Sequence, residues 1–219
     1  MKIVRIQPRQ IFYLLLAAIP VIIFVIKIDI WPFVDGKTLP EGFSRIPGDA
    51  TNIKNLVSNI IPGETVRYWQ YEEWMTGHAT LIRSVGESSL RKRINSFDVE
   101  GGFFSNCVPV PVCHSVVSYV TDGEVKYVTS EEAMVKFIGK VDNLEEAILI
   151  AMLKGLYVDA GDTRGGSYRR TSDGFELYLV DTQDCPVTST SVKVNLTLDG
   201  KFTSQNEMVY YQSEDCNIY

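Results

Sequence analysis

Apolar and polar positions change their rhythm three times along this chain. Gln10 to Ile26 run seventeen residues without a charge, behind a short segment carrying Lys2, Arg5 and Arg9. That length reaches the lower bound for a spanning helix and exceeds the usual apolar core of a cleavable signal. Ala17 and Ala18 lie inside the run, and Lys27, Asp29, Trp31 and Pro32 follow it, so no A-x-A cleavage site is presented. The pattern predicts a cytoplasmic segment at 1–9 and a transmembrane signal anchor at 10–30, with a cleaved signal peptide as the alternative. Phe12, Tyr13 and Trp31 fit interfacial aromatics, and Lys27 is placed to snorkel into the headgroups. Pro20 predicts a kink. Three basic residues precede the span, against Lys27 and Lys37 just after it, a bias that puts the N-terminus inside and the rest of the chain outside.

From 31 to 48 the periodicity disappears. Pro32, Pro40 and Pro47 alternate with Gly36, Gly42 and Gly48, which predicts a stalk. A domain follows at 49–219. Ile53, Leu56, Val57 and Ile60 recur at helical spacing behind Asp49 and stop at Pro62-Gly63, giving a helix over about 50–60. Residues 65–74 and 79–85 read as strands joined through Met75-Thr76-Gly77, and Leu90, Ile94 and Phe97 mark a short amphipathic helix. Its basic run Arg91-Lys92-Arg93 is expected on the solvated side.

The second half is more regular. Residues 116–121 and 124–129 flank Asp122-Gly123, a strong hairpin signal. Thr129 with Glu132, and Asp142 with Glu145, predict two capped helices ending at Gly139 and Gly155. The second is apolar nearly all round, from Leu144 to Leu153, and is expected to be the most buried. Asp173-Gly174 and Asp199-Gly200 predict two more hairpins. The fold class expected is α+β, an N-terminal transmembrane helix followed by helices packed on an antiparallel β-sheet built as a meander of hairpins. Possible subdomains are 49–97 and 115–219. Val192 to Leu196, running into Leu198-Asp199-Gly200-Lys201, resembles the closing strands of secreted PepSY-type domains, which are helix-on-sheet modules. The resemblance covers barely a tenth of the chain and implies no residue role.

Charge narrows the partners. The chain carries 21 basic and 27 acidic residues. Past residue 30 the count is 17 against 26, a net charge of −9. Such a domain repels phosphate backbones and anionic headgroups, so nucleic acid is not an expected partner. Four cysteines in a translocated domain predict two disulfides. If the strands flanking Asp199-Gly200 pair so that partner numbers sum to 399, Cys185 and Cys216 fall two residues out of register, and a bulge or slip at the open end would bring them together. Cys107 with Cys113 is then the second expected bridge.

Local chemistry is sparse. Cys107, Cys113 and His114 lack the short C-x2-C knuckle of a zinc site, and Cys113 next to His114 on an extended segment would point away from it. Ser89-Leu90-Arg91-Lys92 has S-x-x-K spacing without the partner motifs of penicillin-binding enzymes. Glu131, Glu132, Asp142, Glu145 and Glu146 sit where helix N-termini want carboxylates. Asp159 and Asp162 lack the dense oxygen pattern of a calcium loop. No catalytic residue, metal or cofactor is expected. The surface singled out is the strand around Val66 to Trp74, where alternation sets Arg67, Trp69, Tyr71 and Glu73 on one face. Two aromatics between opposite charges suit a sugar ring or an extended peptide, although strand aromatics ordinarily pack inward.

The expectation is therefore a single-pass cell-membrane protein, anchored by its N-terminal helix with the C-terminal domain extracytoplasmic. Its expected role is non-enzymatic, an interaction or accessory protein of an envelope complex whose partners are other membrane or envelope proteins. A glycan- or peptide-binding module using the aromatic strand face is the alternative, and a hydrolase is the third.

Overall fold

The computed structural model describes residues 36–63, 65–96, 99, 101–104 and 113–216. The expected cytoplasmic segment, the anchor at 10–30 and Cys107 lie outside these residues. Among the described residues no helix is long and apolar enough to cross a membrane.

The domain is α+β, as the alternation of patterns predicts, but it holds two antiparallel sheets where one meander was expected. The first comprises β1 (Ser44–Arg45), β6 (Gly166–Arg170), β7 (Gly174–Asp184), β8 (Val187–Thr197) and β9 (Phe202–Ser213), in that spatial order. The second comprises β2 (Tyr68–Met75), β3 (His78–Gly86), β4 (Cys113–Thr121) and β5 (Glu124–Val128), in the order β3-β2-β4-β5. Among the described residues three α-helices join the sheets: α1 (Ile53–Ser58), α2 (Glu131–Ile138) and α3 (Leu144–Leu153). The reason for the correction is that hairpin signals are local. They pair β2 with β3 and β4 with β5, but the joining of β2 to β4 and of β1 to β6 is a long-range choice made by the core.

The helix starts follow the capping logic one residue later than the sequence suggests. Ser130, not Thr129, accepts from the Ala133 N–H, and Asn143, not Asp142, accepts from the Glu146 N–H. Each candidate cap is followed by another cap-competent residue, and spacing alone does not separate them. Ser88–Arg93 forms a 3-10 helix in place of the amphipathic α-helix expected there.

One hydrophobic cluster contains Leu56 and Val57 of α1, Phe137 and Ile138 of α2, and Ile148 to Ala151 of α3. It also takes in Trp69, Tyr71 and Val117 from the four-stranded sheet and Leu177, Leu179, Val192 and Val194 from the five-stranded sheet. α2 packs on the four-stranded sheet, and the chain just after it reaches the turn of the other. Phe137 meets Trp69 and Tyr119 at ring separations of 5.9 and 5.0 Å. Just past α2, Val141 N–H donates to Leu198 O in the β8–β9 turn at 2.8 Å. As its all-round apolar pattern predicts, α3 is buried along most of its length.

The C-terminal part of the expected stalk is docked on the domain. Ser44 and Arg45 pair with Tyr168 and Ser167, and Ile46 is buried. Farther back, Gly36 O accepts from Thr163 N–H and Thr38 O from the Thr163 hydroxyl, both at 2.9 Å. The apolar Ile46, just after the two strand residues, is the feature that prolines and glycines masked in the sequence.

Candidate functional site

The strand carrying Arg67, Trp69, Tyr71 and Glu73 alternates as predicted, but its aromatic face is turned inward. Trp69 is 3% exposed and Tyr71 0%, so these rings form core and not an open stacking platform. The physical reason is that β2 is an interior strand, flanked by β3 and β4 and covered by α2. Arg67 stands just outside it at the surface, in a bidentate pair with Glu87 at 2.7 and 3.0 Å. That pair is half-exposed on both sides and contributes little to stability. The four residues are thus not one site.

Two of them nevertheless meet a cavity. Where β2 ends, a groove of about 550 Å³ is lined by Tyr71, Glu73, Trp74 and Met75, and by Cys113, His114 and Ser115 of β4. The opposite wall comes from Ile53 of α1, Met152 and Leu153 of α3, and Tyr157, with Phe104 also lining the cavity. Tyr157 is held by a two-bond bridge to Val180 of β7 (2.9 and 2.8 Å), so the groove lies where the two sheets approach each other. A concave, largely apolar site with a few polar groups is the usual form of a ligand pocket.

Three features make this groove more than a packing gap. Tyr71 is fully buried, yet its hydroxyl has no hydrogen bond of acceptable geometry; Ser115 lies beside it, and burial pushes its phenol well above the ordinary range. Nε2 of His114 is likewise enclosed without a hydrogen-bond partner, while its ring stacks on Trp74 at 6.0 Å with planes 4° apart. Met75 and Tyr157, 53% and 45% exposed, bring two of the molecule's exposed large apolar side chains to the groove. Buried polar atoms without partners are costly, and exposed apolar groups gathered at a cavity mark binding surfaces.

The arrangement does not assemble a nucleophile and base. His114 and Ser115 are successive strand residues, paired across the ladder with Trp74 and Glu73 respectively, so their side chains leave opposite faces. Cys113 is disulfide-bonded, which removes it both as a thiolate ligand and as a nucleophile. His78 stands exposed at the start of β3. Asp162 is engaged by Arg164 at 2.6 and 2.9 Å, which holds its carboxyl below the usual range, and Asp159 accepts from the Tyr210 hydroxyl at 2.9 Å.

The Cys185–Cys216 disulfide is present, with Cα atoms 4.4 Å apart. Residue sums across β8 and β9 begin at 398 beside the turn, rise to 399 after an irregularity between Ser191 and Val192, and reach 400 after a second between Ser189 and Thr190. The register therefore drifts toward the sum of 401 that the bridge needs. Sequence reasoning missed Trp74, Phe104, Met152, Leu153 and Tyr157 as groove residues, because they are scattered along the chain and each reads locally as core. The two exposed apolar residues, Met75 and Tyr157, stand beside turn glycines, Gly77 and Gly155; that placement was the only local hint.

Comparison with protein-family models, with curated proteins and with solved structures gives no match to this chain.

Proposed function

We propose that this protein is a membrane-anchored, extracytoplasmic interaction protein without enzymatic activity, and that it engages its partner through the groove at the end of β2. The observation that carries the reading is the fully buried Tyr71 hydroxyl, left without a hydrogen bond at the wall of a cavity whose rim exposes Met75 and Tyr157. A ligand that supplies the missing partner and covers the rim would recover both costs. The charge-free run at 10–26 supports the anchor, and the Cys185–Cys216 bridge is consistent with an oxidising compartment. The glycan- or peptide-binding alternative is absorbed into this reading, with the contact surface moved from the strand face to the strand end.

The test is site-specific photocrosslinking of the full chain in its native membrane. A photoreactive residue at Tyr157 is expected to give a discrete adduct, and the same residue at Val85, which is exposed on the edge strand β3, is not. Equal adducts at both positions, or none at Tyr157, would remove the groove as the contact surface.

A further inference from the structure

Resting on that reading of the groove, we infer that its ligand presents an alkylammonium group, which Glu73 receives. Among the described residues, the lining holds one carboxylate, Glu73, and no lysine or arginine. Among the described residues, Glu73 takes part in no ion pair, although it is only partly exposed and near enough to Tyr71 for its charge to act on the phenol. A carboxylate drawn partly out of water without a cation gains most from a ligand that brings one. The field of the whole domain acts in the same direction. Beyond residue 30 the chain carries net −9, which repels carboxylate and phosphate ligands and concentrates cations at an acidic cleft.

The walls select the kind of cation. Ile53, Met75, Met152 and Leu153 offer apolar surface for a methylene stem, and Tyr157 adds an aromatic ring, which attracts a cation placed over its face. Among the described residues, no group of three or more His, Cys, Asp or Glu is gathered that could hold a strongly hydrated inorganic ion. An ammonium on an apolar stem matches both the charge and the surface. For a groove that engages a protein partner, its source is a lysine side chain of that partner, which brings the ammonium and the methylene stem together.

Methionine methyls provide the measurement, since Met75 and Met152 line the groove while Met134 is buried elsewhere and Met208 lies on β9. The full chain, methyl-labelled at methionine in detergent micelles, is titrated with Nα-acetyl-lysine methylamide and with n-butylammonium, each beside its uncharged counterpart, Nα-acetyl-norleucine methylamide or 1-butanol. The expected result is a shift of Met75 and Met152 but not of Met134 or Met208, with the charged member of a pair about tenfold tighter and the preference lost in Glu73→Gln. n-Butylammonium carries the same ammonium and stem as lysine, so a preference shown by both charged probes supports a lysine side chain, and one shown by butylammonium but lost in the lysine derivative overturns that source in favour of a free amine. Equal binding of charged and uncharged probes would leave the groove a binding site and overturn the ammonium assignment. Failure of every probe to move Met75 and Met152 would overturn both. An unchanged Met134 signal in Glu73→Gln verifies that the variant is folded.

Discussion

Glu146 is fully buried and pairs with no cation among the described residues. One of its carboxylate oxygens accepts from the Ile61 N–H at 2.8 Å and the other from the Asp142 N–H at 2.9 Å. It thereby ties the chain leaving α1 to the start of α3, across 85 residues of sequence. Glu146→Gln puts an amide N–H₂ where one of those N–H groups now donates, and the expected loss is about 1–3 kcal/mol by urea denaturation. Burial raises the Glu146 pKa more than its backbone hydrogen bonds lower it. The folded state therefore binds this proton more readily than the unfolded state, and the site costs stability as pH rises from the ordinary carboxylate range through the raised value. Wild type is expected to gain on Glu146→Gln as pH is lowered from neutral into that window, measured as the difference in unfolding free energy at the two ends. The sequence offered Glu146 only as a first-turn carboxylate. Its second role, across the chain to Ile61, has no local signature. The same limit applies to Trp69 and Tyr71: alternation placed them on one face correctly, but the burial of both faces, with Tyr68, Gln70 and Glu72 on the other, is decided by distant elements.

Secondary elements were legible where the signal is a turn. Asp122-Gly123 and Asp199-Gly200 mark hairpins as expected, and the drift in register toward Cys185 and Cys216 follows from the two irregularities in the β8–β9 ladder. Less legible was the close approach of two glycines. Gly139 caps α2 at φ +72°, and a Cβ on Gly63 would fall 2.7 Å from Gly139 Cα. Here Pro62-Gly63 does more than end a helix, since Gly63 N–H also donates to Phe137 O at 2.9 Å. Gly63→Ala is expected to cost about 1–3 kcal/mol through that backbone clash, seen as a lowered Tm. β9 is an edge strand exposed along most of its length, so little apolar burial holds it in place. The Cys185–Cys216 bridge, spanning 31 residues, then pins the open end of the ladder that pairs it with β8. Replacing both cysteines by serine is expected to cost about 2–4 kcal/mol. Amide exchange should quicken first at Met208 to Ser213 while Leu177 and Leu179 remain protected; uniform quickening would assign the bridge a global role instead.

For the molecule as a whole, the proposed location is read on the same cysteines. In intact cells a membrane-impermeant maleimide is expected to label Cys185 and Cys216 only after mild reduction. Labelling that requires lysis but no reduction would place the domain in the cytosol with free thiols. The fold class was readable because capped helices and Asp-Gly hairpins are written in short windows. The division into two sheets was not, since β1 reaches β6, more than a hundred residues onward, through only two paired residues.

That two-residue strand sets how the domain answers a mechanical load. Chain tension applied from the N-terminal side would arrive first at Gly36 and Thr38, which rest on Thr163, then at the Ser44–Arg45 pairing, and only afterward at Ile46 and the core. With so few bonds in series, this segment should peel away at low force, in a separate extension step in optical tweezers, before the sheets shear. The docked segment would act as a reversible fuse, releasing chain under strain before the sheets bear the load.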